Sequence, residues 1–353
     1  MDLSILETIV RMGRMLALTP ASVQNQVPNS SEKFYPVFMF LFYSVGVIVS
    51  KYYLRLFYAY LTPIQLTLTI LIVLGFYIQN SYIFLIIALK KRQLWLKFVE
   101  NLRMVAPKPT GSRQNYFIFI VPHVLYCVNN TLGTYMCIHI LGWRVIKLYL
   151  LEYFDYYSHF FYTVYTCVIL NLILSRYQHQ AAILSKITRR KLRFSKEVAT
   201  IFENVKRDVC VLKATVDIFN DIFGPVVLLN ILVSALRNLA NMEVITKGGV
   251  ILFVIHEVCA MSLIWIGLLA IIFLCDAVLK EHEEILALTS KMQLSIDLCS
   301  HEHAQLEIFI HVVSNNRPVF KAARFFSIDR STFFSILNTI TTSFLVIIQF
   351  KTR

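Results

Sequence analysis

The chain has 353 residues, 57% of them hydrophobic and only 16% charged, where an ordinary soluble domain carries about 25% charged residues. Its 27 Phe, 18 Tyr and 10 Gly exclude a disordered or collagen-like chain, and its seven cysteines show neither the spacing of a secreted disulfide framework nor that of a zinc site. The shortage of charge points to a polytopic membrane protein, in which the formal +13 is read by the position of its Lys and Arg and not as a nucleic-acid signal.

The first 20 residues are interrupted by Asp2, Glu7, Arg11 and Arg14. They therefore lack the continuous apolar stretch of a secretory signal and predict a short amphipathic helix ending at Pro20. Beyond it, a hydrocarbon core roughly 30 Å thick needs about 20 mostly apolar residues per helix. Runs between charged residues meet that need at Pro36 to Ser50, Leu56 to Leu89, Gln114 to Trp143, Tyr156 to Ser175, Ile222 to Leu236, Gly248 to Cys275 and Ser331 to Phe350. The first continues past Lys51 by snorkelling, the fifth borrows residues from about Ala214, and the sixth contains Glu257. The fold class is thus all-α, with seven transmembrane helices.

Of the 34 Lys and Arg, 26 fall in alternate segments beginning with the amino-terminal one. By the positive-inside rule the amino terminus is cytosolic, and seven spans place Lys351, Thr352 and Arg353 outside. The long inner segments Arg176 to Lys213 and Asp276 to Arg330 keep helical apolar spacing, as in Ile183, Leu184, Ile187, Leu192, Val198, Ile201 and Phe202. That spacing predicts that the fourth to seventh spans continue as helices below the membrane. Arg189, Arg190, Lys191 and Arg193 are expected to be solvated or to touch anionic membrane lipid.

Several smaller patterns carry expectations of their own. Asp217 and Asp221 lie four apart, and either pair with Lys213 or cap a helix, or else line a cation exit route. His301, Glu302 and His303 lack the four-residue spacing that turns two histidines toward one metal. No metal, cofactor or catalytic constellation is expected, and the protein is not read as an enzyme. Asn29 and Asn129 begin glycosylation sequons, but one is predicted cytosolic and the other intramembrane, so neither is expected to carry a glycan.

The last span is unusually polar. At about 100° per residue, with Ser335 at zero, Ser331 falls at about 320°, Asn338 at about 300°, Thr342 at about 340° and Gln349 at about 320°. These residues form one stripe, broken only by Leu345 and Val346. An unsatisfied hydroxyl or amide in lipid is costly, so the stripe faces protein or water. Two readings stand: hydrogen bonding between helices of one bundle, or the wall of a pore made by symmetric copies, with Gln349 as a ring of amide dipoles and the apolar turn as a dewetting gate.

Thr342, Ser343, Phe344, Leu345, Val346, Ile347, Ile348, Gln349 and Phe350 resemble the closing signature of insect gustatory receptors: Thr, Tyr, five hydrophobic residues, Gln, Phe. Ser343 stands where the family has tyrosine, leaving space behind the helix. Ser327, Ile328, Asp329, Arg330 and the following Ser331 to Leu337 resemble the family's approach to its last helix, and Leu16 to Pro20 resembles its amino-terminal segment. The resemblance implies seven helices with a cytosolic amino terminus, similarity to insect odorant receptors, and assembly as a tetrameric ligand-gated cation channel. Within that assembly the last helix (331–353) lines the pore through Ser331, Ser335, Asn338, Thr342, Leu345, Val346, Gln349 and Phe350. Gln349 and Phe350 stand at the outer gate, and residues 1–330 form the receptor body with its cytosolic anchor. The partners so implied are a small-molecule tastant, permeating cations and like or related subunits, as a homotetramer or heterotetramer. The location so implied is the plasma membrane of a sensory neuron dendrite.

The resemblance also places the ligand pocket in the outer halves of the second to sixth spans. Candidates there are Asn130, Thr134, Tyr135 and His139 of the third span, Tyr162 and Tyr165 of the fourth, Asn230 and Ser234 of the fifth, and His256 and Glu257 of the sixth. Aromatic walls with a few polar groups suit a small organic ligand. A carboxylate inside a span costs roughly 2.5 to 3.5 kcal/mol on insertion scales, so Glu257 either binds a cationic ligand or pairs with Arg237, Lys247 or a buried hydroxyl. The competing functions are a seven-helix receptor signalling through a G protein and a non-conducting subunit of a heteromeric receptor. Against the first stand the amino-in orientation and the lack of Asp-Arg-Tyr after the third span and of Asn-Pro-x-x-Tyr in the seventh.

Overall fold

The computed structural model describes residues 4–20, 30–59, 61–105, 113–189, 196–246, 251–294 and 301–351. These hold ten α-helices, a π-helical segment and one two-stranded hairpin. Six helices contain stretches long and apolar enough to cross a membrane: Phe34–Arg55, Pro63–Lys90, Phe117–His139, Tyr149–Thr188, Val198–Asn241 and Ile255–Gln293. The last helix, α10 (Arg330–Lys351), has 22 residues, about 33 Å at 1.5 Å per residue.

Helix α1 (Ser4–Met15) is amphipathic as expected, but it lies against protein. Leu6, Ile9 and Val10 are buried while Glu7, Arg11 and Arg14 are exposed. It ends at Met15 and not at Pro20, because the Leu18 N–H donates to Gly13 O (2.8 Å) and the Ala17 N–H to Arg14 O (3.1 Å). That pairing closes the helix with Ala17 at φ 54°, the left-handed position such a cap requires.

Helix α2 (Ser30–Tyr58) runs through Lys51, as the short apolar run required. Helix α3 (Pro63–Ser81) opens on a capping box in which Thr62 and Gln65 satisfy each other's backbone N–H groups. It continues as a π-helix over Tyr82–Lys90. On an α-helix Tyr82 and Lys91 would stand about 180° apart. The wider winding brings them to one side, where Lys91 Nζ donates to the Tyr82 hydroxyl at 2.7 Å and to the carbonyl of Asp221.

The short α4 (Arg92–Met104) and α5 (Arg113–Leu141) lead to three long helices: α6 (Arg144–Arg189), α7 (Lys196–Thr246) and α8 (Ile251–Gln293), of 46, 51 and 43 residues. The fourth, fifth and sixth spans therefore do continue well beyond a membrane's thickness. The seventh does not extend in this way. Helix α9 (His301–Asn315) and a hairpin of β1 (Lys321–Ala322) and β2 (Phe326–Ser327) precede it. Ser158–Leu170 of α6 is buried without a break, as befits a helix hydrophobic on all sides at the centre of a bundle. Arg190, Lys191, Arg193, Lys247, Asn29, Thr352, Arg353 and the side chains of Arg189, His301 and Glu302 lie outside the described residues.

The hairpin's backbone is held on α7 by the Asn220 side chain. Asn220 Nδ2 donates to Val319 O at 2.7 Å while its Oδ1 accepts from the Lys321 N–H at 2.9 Å, so the amide replaces a missing neighbouring strand. Lys213 pairs with Asp217 at 2.5 Å, as the four-residue spacing allows. Asp221 pairs instead with Arg324 of the hairpin at 3.2 Å.

Candidate ligand-binding site

Two chambers lie side by side among α2, α3, α5, α6, α7 and α8. The larger, about 370 Å³, is lined by Tyr126, Asn129, Asn130, Gly133 and Cys137 of α5, Tyr149, Glu152, Tyr153 and Tyr156 of α6, Arg237 of α7, and His256, Glu257, Ala260, Leu263 and Ile264 of α8. The smaller, about 210 Å³, reaches Lys51 and Tyr58 of α2, Thr69 and Phe76 of α3, Asp155 of α6 and Asn241 of α7. Tyr149, Glu152, Tyr156 and Arg237 border both and form the partition between them.

The partition is a stack. The guanidinium of Arg237 lies over the Tyr156 ring, 4.0 Å from its centroid, a geometry in which the ring face attracts the cation. Arg237 is only 8% exposed. On one side of it Glu152 accepts from Lys51 Nζ at 3.0 Å. On the other, Glu257 accepts from Asn241 Nδ2 at 2.9 Å, and its second oxygen stands 4.0 Å from His256 Nε2. Of the partners expected for Glu257, Lys247 is outside the described residues, and the bond is made by Asn241.

Beside the smaller chamber a buried network ties three helices together. Asp155, 6% exposed, accepts from the Tyr43 hydroxyl at 2.7 Å and from Asn80 Nδ2 at 2.8 Å, and Ser158 donates to Asn80 Oδ1 at 2.6 Å. One turn deeper, His159 bridges Gln79 Oε1 (3.3 Å) and Ser234 Oγ (3.1 Å), and Asn230 donates to Thr163 Oγ1 at 3.1 Å. These bonds supply most of the partners that polar groups need at membrane depth, leaving Gln79 Nε2 and Asn230 Oδ1 without one among the described residues.

The candidates named from the sequence are therefore spread over several environments. Asn130, His256 and Glu257 meet around the larger chamber. Thr134 is half-buried outside its lining, while Tyr135, 64% exposed, and His139 face outward. Tyr162 is wholly buried and donates to the carbonyl of Leu18, and Tyr165 packs against Trp95 and Phe223. Asn230 and Ser234 belong to the hydrogen-bonded core. Lys51, Glu152, Asp155 and Arg237 are not among the ligand-site candidates of the sequence, because Lys51, Asp155 and Arg237 bound apolar runs and Glu152 lies between two of them. The signal that could have found them is that Glu152 and Asp155 fall within one turn of the fourth span.

A larger hollow, about 680 Å³, lies between α2 and α6, lined by Met39, Phe42, Gly46, Val49 and Leu150 among others. Its rim is exposed and apolar, the surface that acyl chains cover in a bilayer, so its size does not make it a recognition site. A fourth space, about 420 Å³ between α2 and α3, shares Lys51, Tyr58, Thr69 and Val73 with the smaller chamber.

On α10, Phe333 and Ile336 pack against the core, whereas Ser331, Ser335, Asn338, Thr342 and Leu345 are exposed. The side chains of Val346, Gln349 and Phe350 lie outside the described residues. The helix is fixed at its start, where Arg330 grips Asp276 of α8 through Nε (2.9 Å) and Nη2 (2.6 Å). Asp329 caps it by accepting from the Thr332 N–H at 3.1 Å.

No curated protein matches the sequence. The fold is similar to that of the insect olfactory receptor OR5 from Machilis hrabei, at TM-score 0.72 and 15% identity over 98% of both chains. It is also similar to the structure of that receptor in complex with eugenol, at TM-score 0.69 and 15% identity over 99% of this chain and 100% of the other. A family profile described as 7tm Chemosensory receptor matches residues 6–353, and the chain belongs to that family.

Proposed function

We propose that the protein is a gustatory receptor of the plasma membrane that acts as a ligand-gated, non-selective cation channel. In this reading the amino terminus is cytosolic, residues 1–330 form the receptor body, and α10 lines the pore of a homotetramer or of a heterotetramer with related chains. The observation that carries it is the exposure of the polar row Ser331, Ser335, Asn338 and Thr342 on a helix that packs against its own chain through Phe333 and Ile336 and leaves Phe334, Leu337 and Leu345 exposed too. A row of hydroxyls and an amide at membrane depth needs protein or water against it, and a second copy of α10 across a water-filled axis supplies both.

The two-chamber cavity is the ligand site in this account. The Machilis hrabei receptor has been seen with eugenol, a small organic molecule, and a cavity of about 370 Å³ falls within the range for such ligands. Ligand that fits better when α5, α6, α7 and α8 adopt their open arrangement shifts the population toward it. Because α10 is tied to α8 through Arg330 and Asp276, movement of α8 is passed to the start of the pore helix. Cation preference comes from amide and hydroxyl dipoles, since the stripe carries no acidic side chain.

The test is expression in oocytes with a panel of sugars, alkaloids, amines and oxygenated aromatics, followed by Gln349→Glu on any ligand-evoked current. A changed ion permeability in the variant is expected. An evoked current with unchanged permeability, or one selective for anions, overturns the pore assignment.

A further inference from the structure

The cavity's polar groups are unevenly satisfied. Each acidic side chain already has a partner: Lys51 holds Glu152, Tyr43 and Asn80 hold Asp155, and Asn241 holds Glu257. Arg237 differs. As a residue it is 8% exposed; its guanidinium lies over the Tyr156 ring and borders both chambers, donates no hydrogen bond to any described residue, and keeps its nitrogens open to the chambers. Stacking satisfies the charge in part but leaves the N–H groups, which lie in the plane of the guanidinium, without an acceptor among the described residues. Water meets these donors while the chambers are open, and an occupant that displaces it without supplying an acceptor leaves them unpaired at a cost, so the cavity favours an occupant that brings one.

The surrounding charges select which kind. Resting on the reading of this cavity as the ligand site, we propose that Arg237 is its recognition residue and that the ligand is an uncharged aromatic molecule bearing a hydrogen-bond-accepting oxygen, of the aryl ketone or aryl ether class. An anionic ligand reaching Arg237 would lie beside the carboxylates of Glu152 and Glu257, which line the same chamber. An ammonium ligand would be repelled by Arg237 and would leave its donors unmet. A neutral oxygen accepts from the guanidinium and adds no net charge to a low-dielectric site. Tyr126, Tyr149, Tyr153 and Tyr156 on one side, with Leu263 and Ile264 on the other, offer ring faces and apolar surface that suit an aromatic body.

The experiment uses the purified full-length chain in nanodiscs and four probes of nearly one shape: acetophenone, cumene, 1-phenylethylamine and benzoate. Binding is read as ligand-induced thermal stabilisation, and channel currents are recorded separately. Acetophenone is expected to bind about tenfold to a hundredfold tighter than cumene, the range for one hydrogen bond to a charged group. The amine and the carboxylate are expected to bind more weakly than acetophenone. In Arg237→Met the preference for acetophenone over cumene disappears, and in Arg237→Lys, which keeps charge but not the planar fork, it shrinks. Arg237→Gln replaces the methionine variant if that one does not fold. A merely structural role for Arg237 would weaken both probes alike and leave their ratio intact, which overturns the proposal. So does stronger binding of the amine or of benzoate, or binding of none of the four. Arg237-dependent acetophenone binding without any current contradicts the channel reading alone. Current evoked by other classes, with no preference for acetophenone over cumene, contradicts this inference alone.

Discussion

At the scale of single residues, two glycines make opposite demands on their neighbours. A methyl group at Gly133 would collide with the His256 imidazole, and one at Gly224 would stand 2.7 Å from the carbonyl oxygen of Lys321. The ring of His256 is able to turn away, and the larger chamber is the space that receives it. Gly133→Ala is therefore expected to fold and to raise the half-maximal ligand concentration by roughly tenfold, measured as a concentration–response curve at unchanged surface expression. The hairpin carbonyl has no such freedom. Gly224→Ala is expected to cost about 1–3 kcal/mol, read as a lowered unfolding temperature in detergent, while Gly133→Ala leaves that temperature nearly unchanged. His256 and Glu257 were legible in the sequence because they interrupt an apolar run. Arg237, Glu152, Asp155 and Lys51 were not, because charge was read as the edge of a span. The fold carries those edges inward and closes them on one another across separations of about a hundred residues, such as the 112 between Tyr43 and Asp155 and the 101 between Lys51 and Glu152, which no local pattern reveals.

At the scale of elements, helix ends hold testable energy. Ala17 occupies a left-handed position with φ 54°, which costs a residue with a side chain roughly 1–2 kcal/mol. Ala17→Gly is expected to recover about 1 kcal/mol of it as a raised unfolding temperature, less the backbone entropy that glycine brings. The start of α10 depends on Asp329. Its carboxyl is held down at about 2, below its ordinary 3.8, first by the Ser331 hydroxyl and then by Ser327 and by the N–H and hydroxyl of Thr332. A depressed carboxyl stabilises the fold above its ordinary value, and that contribution is lost as pH falls from about 4 toward about 2. Asp329→Ala is thus expected to lower stability by about 1 kcal/mol at neutral pH. Asp329→Asn keeps a capping oxygen and is expected to remove the share of the pH dependence in that window that Asp329 contributes, with thermal unfolding of variant and parent compared between pH 2 and 5 as the check. The capping residue was visible in the sequence only as part of a family resemblance. The hairpin before it was not visible at all, since two-residue strands leave no alternation to count, and Asn220, which holds it, is remote in the chain.

At the scale of the whole molecule, the spans were legible for a simple reason: lipid tolerates few charges, so charge-free runs mark the helices. The long extensions of α6, α7 and α8 were legible through their apolar spacing. What a single chain leaves open is the side of α10 that it does not itself cover. If four copies gather around an axis, the exposed Ser335, Asn338 and Thr342 face water, and Phe333 and Ile336 remain packed. The most direct test places single cysteines along α10 at 333, 335, 336, 338 and 342 and applies a charged, water-soluble thiol reagent during ligand-evoked current, against the unsubstituted chain as background. The account predicts that modification blocks current at 335, 338 and 342 and spares it at 333 and 336. Equal block at all five positions, or block at 333 and 336 only, would contradict a pore lined by this helix.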